Sequence, residues 1–201
     1  MNRVERVCDW LRRLPHSLGF GIQSPWAYRF DRNVLNEHSP YYAYEELDME
    51  MGEIDAISKK LARLYFRIVN YRQPHVIVDY CADSDVYDEY MKAACKKAEI
   101  VKCTSGCSEP QYRALLSEVD NVEFVRISLT DNYRMFYDIL RSRIDDNSIV
   151  VLEDIYKTKD TRKFWHEVVN GPQETVSFDL YYCGVVFFDK KRYKENYIIN
   201  F

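Results

Sequence analysis

The sequence predicts an α/β fold: an open, mostly parallel sheet with helices on both faces, an antiparallel end, and helices placed ahead of it. Three observations carry this reading. From residue 75 onward, short apolar runs alternate with amphipathic stretches, the pattern of strand and crossover helix. The first third repeats apolar residues every three or four positions instead. Near the end, "ETVSFDLYYCGVVFFDKK" holds two strand-like runs around Cys183-Gly184, the layout of an antiparallel hairpin.

The elements follow in order. Val4, Val7, Leu11 and Leu14 share one helical face. Ser24-Pro25 is a helix start, a capping hydroxyl before a proline at the first helical position, and Trp26, Phe30 and Val34 continue it as an apolar stripe. Ile57, Leu61, Leu64 and Ile68 make a longer stripe that closes near Asn70, and certainly by Pro74. Strands are predicted at 75–80, 99–103, 122–127 and 148–154, with helices near 85–97, 109–119, 132–143 and 160–169. "NYIINF" reads as a last strand, closing the sheet edge or pairing with a second copy. Residues 1–72 thus form a helical extension packed on a sheet domain at 73–201, in one compact unit.

Composition bounds the function. A chain of 201 residues, 47% hydrophobic and 30% charged, buries a single core. Its net charge of −4 argues against a general grip on nucleic acid. No apolar run reaches the length of a membrane span, and "MNRVERVCDWLRRLPH" lacks an apolar signal core, so the expected location is the reducing cytoplasm. The 6 cysteines include no CxxC pair and read as small buried hydrophobes. His16, His38, His75 and His166 lack the spacing of a metal motif, and no nucleophile elbow is present.

Ligands of such sheets bind beyond the carboxyl ends of the strands, which places Asp79–Asp85, Thr104–Cys107 and Glu153–Tyr156 at the candidate site. Asp79 can hold a ligand or cap the next helix. Asp79, Asp83, Asp85, Glu153 and Asp154 can hold a divalent cation, or can be ordinary loop acids, the reading adopted here. "SPYYAYEE" is a substrate lid or, preferably, a packed aromatic seam.

Several words resemble those of small bacterial class I S-adenosylmethionine-dependent methyltransferase-like proteins. "GFGIQSPWAYRF" is similar to that group's Gly-Ile/Val-His-Ser-Pro-Phe start, with Gln23 in the histidine's place. "YYAYEELD", "SGCSE", "SIVVLEDIYKTKDTRKFWHEV" and "VSFDLYYCGVVFF" resemble further segments in the same order, across nearly the whole chain. The resemblance implies a Rossmann-like methyltransferase fold and S-adenosylmethionine as cofactor. It places Asp79 at the acid of the cofactor turn, Cys81 and Asp85 at its two glycines, and Ser105, Gly106 and Cys107 at the ribose-holding turn. Glu153 and Asp154 become the catalytic candidates. A Cβ at either glycine place restricts the turn, Asp85 adds negative charge, and a neutral Ser105 holds ribose hydroxyls less strongly than an acid. Between "VEFVRI" and "SIVVLED" there is room for one helix only, so the sheet should be one strand-helix unit shorter than the family pattern. "DNYR" (131–134) resembles what remains of the family's Gly-Asn-His-Arg turn. Two functions follow: a divergent or cofactor-impaired methyltransferase, its acceptor unknown, or a non-catalytic binding or assembly module with a small-molecule or protein partner, a second copy included.

Overall fold

The computed structural model describes residues 13–19, 21–80 and 85–201. The Val4, Val7 and Leu11 stripe lies outside them, as do Cys81 and Asp83. After a 3-10 turn at Leu14–Gly19, α1 spans Pro25–Phe30 and continues as one wide π turn, Asp31–Leu35. Ser24 caps α1 through its hydroxyl, which accepts from the Ala27 amide at 3.4 Å, as the Ser-Pro pair predicts. Next come α2 (Tyr42–Met51) and α3 (Ala56–Arg72). The Asp55 carboxylate caps α3 by accepting from the Ile57 and Ser58 amides, and Gln73 ends it in the left-handed region at φ +50°.

The alternating part follows closely: β1 Val76–Tyr80, α4 Asp85–Ala94, β2 Glu99–Cys103, α5 Glu109–Ser117, β3 Phe124–Ser128, α6 Tyr133–Leu140, β4 Ile149–Glu153 and α7 Lys159–Val169. Then come β5 Val176–Asp179, β6 Cys183–Phe187 and β7 Glu195–Ile198. The antiparallel hairpin is present, but Cys183-Gly184 is not its turn. Both belong to β6, and the chain reverses at Leu180–Tyr182, where Tyr181 takes φ +73°.

The sheet order is β2-β1-β3-β4-β6-β5-β7. Strands β1 to β4 are parallel, β6 alone runs against its neighbours, and β7 lies parallel to β5 at the edge. Compared with the 3-2-1-4-5-6 order of doubly wound sheets, the third strand stands directly beside β1. Among the described residues no strand lies outboard of β2, so the sheet is one unit short at that edge. The missing unit falls between β2 and β3 in the chain, not between "VEFVRI" and "SIVVLED" as the spacing predicts, because β3 takes the place directly beside β1.

Handedness then decides which helices cover which face. The step from β1 to β2 runs one way along the sheet, and every later parallel step runs the other way. Right-handed crossovers therefore put α4 on one face and α5, α6 and α7 on the other. The core clusters agree. Tyr112, Phe136, Phe164 and Trp165 pack on Val78, Val125, Ile127 and Val150, whereas Met91 of α4 packs on the opposite face with Ile77. That second face would be bare over β3 to β5 without α1 and α3, whose Phe30, Leu64, Tyr65 and Ile68 pack against Phe124, Val151 and Phe178. The N-terminal helices complete a layer of the sheet. Helix α2 lies outside them, with Tyr44 and Leu47 against Phe66 and Tyr90; Tyr41 and Tyr44 of "YYAYEE" form a packed aromatic seam, whereas Tyr42 is fully exposed.

Gly184 is needed in the middle of β6 for a packing reason. A Cβ there would fall 2.3 Å from the ring of Trp165, which is buried against the strand. Gly184→Ala should destabilise the protein by about 1–3 kcal/mol through overpacking. Denaturant unfolding would read this as a lower midpoint, and an unchanged midpoint would mean that the indole can move aside freely.

Candidate functional site

The switch point between β1 and β3, where the chain leaves on opposite sides, is occupied by Arg126. It is the central residue of β3, 2% exposed, and stands in register with Asp79 of β1 and Val151 of β4. Its Nη2 donates to Asp79 Oδ2 at 2.8 Å, and Nε lies 2.6 Å from Oδ1 as an ion-pair contact without hydrogen-bond geometry. On the other side Nη1 donates to Glu153 Oε1 at 3.0 Å. The Tyr65 hydroxyl of α3 donates to the same Glu153 oxygen, and the ring of Tyr87 lies 4.6 Å from the guanidinium carbon. One cation therefore ties three adjacent strands to α3 and α4.

Burial would by itself disfavour the charge on Arg126, but Glu153 and Asp79 more than offset this, and its pKa moves up. Burial also raises the Tyr65 hydroxyl, with Glu153 adding to the effect. Asp79, 0% exposed, is pushed up from 3.8 to about 7: burial raises it, Arg126 opposes, and the neighbouring Asp88 carboxylate raises it further. Asp88 is itself held by Lys102.

On the opposite face of β1, Tyr80 is fully buried. Its ring stacks on Phe136 at 4.3 Å and its hydroxyl donates to the Asp131 carbonyl. The turn after β2 holds Ser105, Gly106 and Cys107 in partly open positions. The Ser105 carbonyl accepts from Asn132 Nδ2 at 3.0 Å, and Thr104 Oγ1 lies 3.5 Å from Cys107 Sγ. Asp154, at φ +62°, pairs with Lys157 at 2.7 Å.

The structure thus joins Asp79 and Glu153 through Arg126 and leaves Asp154 and the Ser105–Cys107 turn apart from them. The Cys81 position and the side chain of Asp85 lie outside the described residues. Among the described residues, no group of three His, Cys, Asp or Glu side chains is placed to hold a metal. Sequence reasoning missed Arg126, Tyr65 and Tyr87. Its available signal was a lone arginine inside the apolar run "VEFVRI", since a charge in a central strand must find partners at its own register.

Two expectations follow. Arg126→Met leaves Asp79 and Glu153 buried without a counter-charge and should cost about 3–5 kcal/mol in urea unfolding; adding Asp79→Asn and Glu153→Gln should restore most of it. If the single and triple variants are equally unstable, the ion pairs are not what matters. The second concerns pH. Because folding raises the Asp79 pKa from 3.8 to about 7, the unfolded chain releases its proton first. Stability from this group is therefore present below the unfolded pKa and is lost as pH rises towards 7. Asp79→Asn, which mimics the protonated acid, should flatten the stability curve across that window; an unchanged slope would assign it to another group.

No protein-family model matches the chain, and no characterised protein matches it at the level of sequence. Its structure does have counterparts. The S-adenosylhomocysteine-bound methyltransferase PaMTH1 of Podospora anserina superposes with a TM-score of 0.57 at 12% identity, covering 97% of this chain and 98% of that one. A methyltransferase of Geobacter sulfurreducens gives 0.54 at 10% identity, over 78% of this chain and 94% of that one. MycE of the mycinamycin pathway, in complex with Mg and S-adenosylhomocysteine, gives 0.52 at 11% identity, over 98% of this chain and 58% of that one. The chain carries the Rossmann-like fold of the class I S-adenosylmethionine-dependent methyltransferases.

Proposed function

We propose that this chain is a cofactor-impaired relative of the methyltransferases, in which the acid of the cofactor turn serves the sheet and the fold acts as a binding module. The observation that carries the reading is the commitment of Asp79 to Arg126. A carboxylate at 0% exposure, held by a buried guanidinium, can meet a ligand only by breaking that pair. Asp79 therefore does not fit the role that the resemblance gives it, and Glu153, 7% exposed, is likewise held by Arg126 and Tyr65. The buried stack of Tyr80 on Phe136, directly before the turn, supports the same conclusion.

The second reading is methyl transfer from S-adenosylmethionine to an acceptor. It is favoured by a match over 97% of the chain to a structure that holds S-adenosylhomocysteine. In-line displacement relies on positioning more than on a strong base, so it does not require Glu153 or Asp154 as a catalyst. Ser105, Gly106 and Cys107 would then border the ribose. Under either reading the partner is a small molecule or a protein, with self-association through the last strand as one form. The thiols of Cys95, Cys107 and Cys183 suit a reducing cytoplasm, and no helix of the described residues is long and apolar enough to cross a membrane.

Calorimetric titration with S-adenosylmethionine and S-adenosylhomocysteine separates the two. The expected result is no binding heat and no thermal stabilisation at millimolar ligand. Stoichiometric micromolar binding would overturn the proposal and establish a cofactor site built without a free Asp79.

A further inference from the structure

A second feature of the same sheet edge is independent of both readings. Strands β4, β5 and β7 point the same way, and the Tyr65 contact to Glu153 sets the first half of α3 beyond their carboxyl ends. There, a cleft of about 740 Å³ opens between the end of the π turn, α3 and the residues after β7. Its walls carry Arg32, Lys59, Lys60, Arg63 and Arg67, although the chain as a whole has a net charge of −4. Among the lining side chains Glu37 and Glu45 are acidic; Glu37 accepts from the Ser39 amide and also feels the charge of Arg67.

The partners of these cations leave a surplus of charge. Lys59 and Arg63 share one carboxylate, Asp48, at 2.7 Å each, and Asp48 also accepts from the Tyr90 hydroxyl. Arg67, 7% exposed, donates to the carbonyls of Val34 and Leu35 at 2.5 and 2.9 Å. Those carbonyls end the π turn and satisfy its hydrogen bonds without neutralising the guanidinium. Lys60 stands 4.2 Å from the centre of the Phe201 ring, with no carboxylate in reach among the described residues. Partial removal from water, and then repulsion by Arg67, draw its pKa down. Arg32 Nη1 and Arg63 Nε, both turned away from solvent, have no acceptor among the described residues. Five cations facing two lining acids and the shared Asp48, gathered in one concave space, leave a positive surplus that calls for an anion rich in acceptor oxygens.

We propose that this cleft binds a small aryl phosphate monoester, its phosphate held by Lys60, Arg32 and Arg63 and its ring against Tyr41 and Phe201. A phosphate suits the site better than a carboxylate because the donors approach from three separate side chains. A tetrahedral dianion offers three acceptor oxygens in different directions, whereas a carboxylate offers two in one plane. Tyr41 and Phe201 are both half-buried and form the apolar part of the wall.

The test is calorimetric titration of the whole chain with phenyl phosphate, beside inorganic phosphate, for the unaltered protein and for Lys60→Gln and Arg32→Gln. Neither side chain holds another residue through a hydrogen bond or ion pair among the described residues, so both variants should melt as the parent does. We expect saturable one-to-one binding of phenyl phosphate, tighter than inorganic phosphate and weakened about tenfold by either substitution. Absence of heat at millimolar phenyl phosphate would overturn the proposal. So would equal affinity for inorganic phosphate, or undiminished binding in variants that melt normally. None of these ligands contains the sulfonium cofactor, so the result stands whatever the cofactor titration gives.

Discussion

A guanidinium in the middle of a parallel sheet is the constraint around which this structure is arranged. A central strand has no water on either face, so a charge there must be neutralised by groups on its own level. Arg126 meets this demand from both sides at once, with Asp79 on β1 and Glu153 on β4. Hydrogen bonding to Glu153 then recruits Tyr65, and the remaining flat face of the guanidinium lies against Tyr87. The two acids at the carboxyl ends of β1 and β4 are used by the sheet itself. Chemistry at the switch point and stability of the sheet compete for the same two carboxylates.

The second constraint is topological. The parallel part of the sheet changes direction only once, at β2, and among the described residues no strand lies outboard of that point. Crossover helices therefore pile on one face and leave the other with α4 alone. The N-terminal helices fill the remainder, and they bring cations to the carboxyl edge as they do so. Arg67 is an example: it anchors the wide turn after α1 by its carbonyls, and in the same position leaves an unneutralised charge beside the cleft.

Much of the fold was legible because its signals are local. Apolar runs of five residues between turn residues mark β1 to β4, Ser24-Pro25 marks a helix start, and the three-four spacing of Leu61, Leu64 and Ile68 marks α3. The hairpin was legible as a pair of strands but not in its turn. Glycine suggested the reversal, whereas Gly184 is required by the bulk of Trp165, a residue distant in sequence. The site was least legible. Asp79 and Glu153 were recognised as strand-end acids, but their use is fixed by a partner on a third strand that enters only through register. The cationic cleft was invisible for a related reason, since its members come from the π turn, α3 and the far end of the chain.

The arrangement at Arg126 also bears on how such a chain can change over time. Losing the arginine strands two acids in the core, and losing Glu153 leaves the arginine half-matched. Each single step leads through a less stable protein, while the combined replacement does not. Neighbouring sequences that free the first-strand acid are thus separated from this one by a valley. Descendants of the chain would keep the ionic tie for the sake of folding alone, even under no demand from any ligand, and an open strand end would be closed to one-residue steps.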